Sequence, residues 1–204
     1  VLRPHEPGDP SGRLWPMPDP TEALATLTGL DATHGSAVAL ALSTDADGVL
    51  RAIGLATGAG STTWSGGHTE LVDAVRAIED ALHPRWVEWS QDTARVLVAA
   101  GVRVARCWDL AAVHRLVFGG WRADAARVWA ALHDLAPSTI PVDRPVDLFT
   151  ALEPHDGDPD EPIRADGHLR PAWTSGGWAT PERVERWADL ALTASELQVE
   201  RLEA

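Results

Sequence analysis

The sequence predicts an α/β fold built on a mixed sheet, an antiparallel meander followed by parallel strands with flanking helices. Three observations predict it. Three strand-length segments joined by tight turns occupy residues 36–64. The hydrophobic period then changes from that of strands to that of a helix. Beyond Pro84, short β-patterned segments alternate with amphipathic helical ones, which implies parallel strands joined by crossovers. A chain of 204 residues with 45% hydrophobic content can bury a core of this size in one domain.

Residues 1–35 read as an irregular lead-in rich in proline and glycine, with Asp19-Pro20-Thr21-Glu22 capping a short helix over Ala23–Leu27. Ser36–Ser43 (SAVALALS) is a continuous apolar run of strand length, as in a central strand covered on both faces. Asp45-Ala46-Asp47-Gly48 supplies a hairpin turn, Val49–Thr57 returns, Gly58-Ala59-Gly60 turns again, and Ser61–Trp64 makes a third strand. His68–Leu82 carries Leu71, Val72, Val75, Ile78, Ala81 and Leu82 on one helical face and ends before Pro84. Arg85–Trp89 follows as a strand, Asp92–Ala100 as a helix closed by Gly101, and Val102–Cys107 as a strand. Asp109–Phe118 is a helix closed by Gly119-Gly120, and Ala123–Leu135 is another. Residues 36–136 are thus expected to form the α/β domain. Residues 137–179 read as an acidic Pro/Gly-rich linker, and 180–204 as a helix with Thr180 as cap and Pro181 in its first turn.

Composition narrows the function. The chain has seventeen arginines and ten tryptophans but no lysine, asparagine or tyrosine, the mark of a GC-rich genome, so an arginine is not by itself a sign of phosphate binding. A net charge of −13 argues against a stand-alone nucleic-acid binder, whose affinity comes mostly from neutralising phosphates. The charge is uneven: Asp143–Asp166 holds eight acids, whereas Arg85–Arg127 holds seven arginines against Glu88, Asp92, Asp109 and Asp124. No apolar run is long enough for a membrane helix and the first residues lack a signal-peptide core, so a cytoplasmic protein with no membrane partner is expected. The single cysteine, Cys107, reads as a buried core thiol.

The order of strands and helices is that of the ribonuclease H-like fold. The segments PRWVEW, LVAAGVRVARCWDLAAVHRLVFGGWRAD and DGDPDEPIRADGHLRP resemble the N-terminal, 3′–5′ exonuclease-like part of the actinobacterial family A, polymerase I-like DNA polymerases. The likeness covers residues 36–204 and is strongest over 84–122. It implies a polymerase module of the same chain as partner, with weak contact to DNA, and magnesium or manganese in the parent polymerase. Since the chain stops within a helix, the resemblance also implies a fragment that would continue into a polymerase thumb.

Exonuclease chemistry of this class needs carboxylates that hold two divalent metals about 4 Å apart. The family places an Asp-x-Glu on the first strand, an Asn-x-x-x-Asp at the second helix of the crossover layer and a Tyr-x-x-x-Asp later. This first strand offers only Val38, Ala39, Leu40, Ala41 and Leu42. Trp89 stands at the asparagine and Thr93 at the aspartate, with Asp92 one residue off and reading as a helix-start charge. Asp109 fits a structural aspartate that opens a helix. Neither His114 nor His133-Asp134 replaces the tyrosine motif. No catalytic, cofactor or metal residue is therefore assigned, and the expected function is a catalytically silent exonuclease-like platform for the polymerase. The alternatives are an active metal-dependent exonuclease using Asp45, Asp47, Asp92 and Asp109, or a non-enzymatic ribonuclease H-like protein-interaction module.

Other motifs carry less. The carboxylates of His155–Glu161 alternate as in a calcium loop, yet the sixth position is Glu161 and the twelfth Gly167, which fits a solvated acidic segment. Gly58–Thr62 lacks the lysine and helix of a phosphate loop, and Ser36, Ser65 and Ser90 lack a nucleophile elbow. Among the tryptophans, Trp86 and Trp108 are expected to face the core, and Trp89, Trp121 and Trp129 to lie near an edge, with core packing the default for each. An exposed pair beside Arg85, Arg122 or Arg127 would instead favour base stacking.

Overall fold

The computed structural model describes residues 19–142 and 158–204. Most of the expected lead-in and part of the expected linker lie outside the described residues. The first helix, α1 (Pro20–Gly29), starts at a capping box: Asp19 Oδ1 accepts from the amides of Thr21 (2.8 Å) and Glu22 (2.9 Å), and Glu22 accepts from the amide of Asp19.

The sheet begins with β1 (Ala37–Thr44), β2 (Leu50–Thr57) and β3 (Gly60–Ser65), an antiparallel meander. The first turn is held by Asp45, whose carboxylate accepts from the amides of Asp47 and Val49, while Gly48 takes φ +76°, which a side chain rarely permits. Helix α2 (His68–Leu82) leads to β4 (Arg85–Glu88), and α3 (Gln91–Ala99) to β5 (Cys107–Asp109). Both β4 and β5 are parallel to β1, giving the order β3-β2-β1-β4-β5 in a five-stranded mixed sheet flanked by helices. Helices α4 (Leu110–Phe118), α5 (Ala125–Leu132) and α6 (Pro181–Glu203) complete the described elements of α-helix and strand.

The two faces of the sheet differ in side-chain size, and this sets its layers. Val38, Leu40, Leu42, Ile53 and Leu55 fill one face and pack with Ala23 and Leu27 of α1, Leu71, Val75 and Ile78 of α2 and Leu97 of α3. Ala39, Ala41, Ala52 and Ala56 line the other, where small residues let α6 approach closely. At Gly54 an added Cβ would overlap the Val184 carbonyl and lie 2.7 Å from Glu185 N. Hydrogen bonds fix α6 along its length. Near its start, Ser61 Oγ donates to Glu185 (2.9 Å); midway, Trp89 Nε1 donates to the Trp187 carbonyl (3.1 Å). Further on, the buried Gln198 accepts from Trp108 Nε1 (2.8 Å) and donates to the Leu110 carbonyl (2.9 Å).

Four expectations need correction. The helix at 180–204, read as lying beyond a linker, covers one face of the sheet, so the core extends past residue 136. Within the expected linker, residues 158–179 are packed: Leu169 and Trp173 are buried, Ile163 bridges Leu169, and Trp173 Nε1 donates to the Pro159 carbonyl (3.0 Å). Apolar side chains at 169, 173 and 178 outweigh the local acidity there, since burying each gains more than the loop loses in solvation. Finally, the last strand is Cys107–Asp109 and not Val102–Cys107, because only Trp86–Glu88 of β4 have ladder partners on that side, and these are residues 107–109. Cys107 is consequently exposed on an edge strand, not buried in the core. No helix among the described residues is long and apolar enough to cross a membrane.

Candidate functional site

A cleft of about 430 Å³ opens at the carboxyl ends of the parallel strands β1 and β4, the place where open α/β sheets most often carry ligands. Leu40, Ala41, Leu42 and Thr44 of β1 form its floor, Ser90, Asp92, Thr93 and Val96 one wall, and Ala123–Ala125 another. Trp89, Trp178 and Trp187, with Thr174, supply the rest. Trp187 lies between the other two, with ring centroids 4.6 Å from Trp89 at 25° and 5.6 Å from Trp178 at 12°, so the three indoles form a continuous stack.

The acids considered from sequence scatter around this cleft. Asp45 is consumed by the hairpin turn and an ion pair with Arg51 at 2.7 Å; the Val49 amide, followed by Arg51, holds its carboxyl below the ordinary aspartate value. Asp47 is exposed in the same turn. Asp109 is the N-cap of α4, accepting from Ala112 N at 2.9 Å. Of the four, Asp92 alone lines the cleft, exposed and paired with Arg95 at 3.0 Å. The second carboxylate in the cleft wall belongs to Asp124, which caps α5 through the amide of Arg127 and pairs with that residue's guanidinium. Thr93 lines the cleft beside Asp92. His114 is buried against Phe118, and burial, then Arg115, lowers its pKa; burial likewise lowers that of His133, while Asp134 pairs with Arg201 at 2.6 Å. Asp158, Asp160 and Glu161 of the alternating acidic run are described: Asp158 caps a turn, Asp160 pairs with Arg183, and Glu161 with Arg186. Among the described residues no group of three or more His, Cys, Asp or Glu is placed to hold a metal ion.

Glu88 escaped the sequence reading as a candidate, although a glutamate inside the apolar strand WVEW was the available signal. It is 3% exposed and lies across the ladder from Asp109. Burial first, and then the Asp109 charge, push its carboxyl up to about 7, against which the Ala94 amide donates to it. Desolvation of the sulfur, and then the neighbouring Glu88 charge, push the Cys107 thiol up to about 12, so Cys107 stays protonated at neutral pH.

The Glu88 environment gives a pH prediction. With a folded pKa near 7 against 4.5 in the unfolded chain, the folded state holds more protons between those values, so stability falls as pH rises through that window. Glu88→Gln removes the charge, and at pH 8 the variant is expected to exceed the wild type by about 3 kcal/mol. At pH 4 the two should unfold alike. Urea unfolding at both pH values checks this, and equal wild-type stability across the window would count against it.

Fold and site together define an α/β domain with a five-stranded mixed sheet and an aromatic cleft at the ends of its parallel strands. No family model, curated protein or solved structure matches the chain.

Proposed function

We propose that this chain is a catalytically silent 3′–5′ exonuclease-like domain, ribonuclease H-like in fold, that serves a family A DNA polymerase as a structural platform. The order β3-β2-β1-β4-β5, with β1 antiparallel to β2 and parallel to β4, supports the fold reading. One observation carries the functional reading: the Trp89–Trp187–Trp178 stack stands in the cleft at the ends of β1 and β4, where metal carboxylates would have to converge. Two-metal hydrolysis needs several acidic oxygens sharing a pair of cations. Here β1 presents Leu40, Ala41 and Leu42 to the cleft, and Asp92 and Asp124 are each neutralised by an arginine three residues on. The residues present do not fit a two-metal centre. The magnesium or manganese required for polymerisation would belong to the polymerase module.

A direct assay tests this. The protein, incubated with 3′-labelled single-stranded DNA and manganese, is expected to leave the label intact. Robust cleavage that disappears in Asp45→Ala/Asp47→Ala, or in Asp92→Ala/Asp124→Ala, would overturn the silent reading in favour of an active exonuclease with rearranged carboxylates.

A further inference from the structure

We propose that the end of α4 and the loop after it, residues 115–122, form a binding surface for single-stranded nucleic acid, with Trp121 as the ring on which a base stacks. This goes beyond the silent-nuclease reading and stands on other residues, since Trp121 is not part of the cleft lining. Trp121 is 76% exposed, and Leu116 (85%) and Phe118 (40%) are exposed beside it in sequence. Three of the six exposed large hydrophobic side chains among the described residues fall between 116 and 121, a density that suits a contact surface. Its electrostatics favour an anion. The Arg122 guanidinium lies 4.9 Å from the centre of the Trp121 ring, and Arg115 Nε donates to the main-chain carbonyl of Trp121 at 3.1 Å, so one cation is held over the indole and a second at its backbone.

Arginines elsewhere in the described residues pair with carboxylates, among them Arg51, Arg76, Arg95, Arg127, Arg183 and Arg201. Arg115 and Arg122 have no such partner among the described residues, and residues 110–122 contain no acid. In a chain of net charge −13, this segment carries only positive formal charge, beside an exposed indole that has a guanidinium over one face. An indole with guanidinium groups beside it suits unstacked bases, which offer a flat ring and a phosphate together. A duplex hides its ring faces and fits less well.

The test is fluorescence anisotropy of a labelled oligothymidylate at low salt with EDTA present, so that binding is read with no nuclease step and independently of the cleft. Trp121→Ala, at an exposed position where folding is not at stake, is expected to weaken binding about tenfold, and Trp121→Phe to retain most of it. Arg122→Ala should weaken binding and flatten the log–log salt dependence by about 0.7. Arg76→Ala, which removes the same charge from α2, should change nothing. No binding, an unaffected Trp121→Ala variant, or equal affinity for duplex would overturn the proposal. So would competition by polyglutamate as effective as by unlabelled oligonucleotide, which would mark an acidic protein as the partner.

Discussion

Gly54→Ala is expected to destabilise the protein by about 3 kcal/mol, at the upper end of what one added methyl group costs in a packed interior. Its Cβ would enter the space of the Val184 carbonyl and lie 2.7 Å from Glu185 N. Backbone on both sides of the contact cannot turn aside as a side chain can. Relief requires α6 to lift from β2, and lifting it strains the Ser61–Glu185 and Trp89–Trp187 hydrogen bonds. Urea unfolding followed by tryptophan fluorescence measures the loss. Gly58→Ala, where no atom lies within 4 Å of the added Cβ, is the matched control and should be near neutral. A loss of less than about 0.5 kcal/mol at Gly54 would mean that α6 does not sit on the sheet as closely as described.

Trp187→Ala should cost about 4 kcal/mol, within the range for deleting a buried aromatic ring. Trp187 is 3% exposed, lies between Trp89 and Trp178, and packs on the small-residue face of the sheet. Its removal opens a void in a wall already next to the cleft and leaves two indoles without their stacking partner. A double-mutant cycle with Trp89→Ala should return a coupling of about 1 kcal/mol from the stack. Additive losses would show that the rings contribute only as separate apolar volumes. In a catalytically silent domain neither variant gains or loses nuclease activity, and their effects stay confined to folding.

Much of the fold is legible in particular residues. The continuous apolar run SAVALALS announces a strand buried on both faces, and in the structure its small Ala39 and Ala41 face one side and its large Val38, Leu40 and Leu42 the other. Asp19 with Glu22, Asp45 with Gly48, and Asp109 mark helix starts and turns, because each closes its hydrogen bonds within four residues. The Val102–Cys107 segment misleads for the opposite reason. Its pattern suits a strand, but the length of β4 decides which of its residues find a ladder partner. Trp121 likewise departs from the core packing expected of a tryptophan, because the chain turns outward at Gly119 and Gly120, both at positive φ.

By itself the sequence determined the element order, the mixed α/β class and the lack of acids on the first strand, since strand and helix periods, caps and turns act over a few residues. Only the tertiary structure decided that α6 closes the sheet, that Trp187 enters the stack with Trp89 from 98 residues away, that Glu88 is buried beside Asp109, and that Trp121 is left in solvent. The physical reason is range. Local patterning sets what each segment becomes, but burial and charge at a site depend on which distant surfaces meet, and here the small residues of β1 and β2 chose the partner by letting one helix come closer than any larger face would allow.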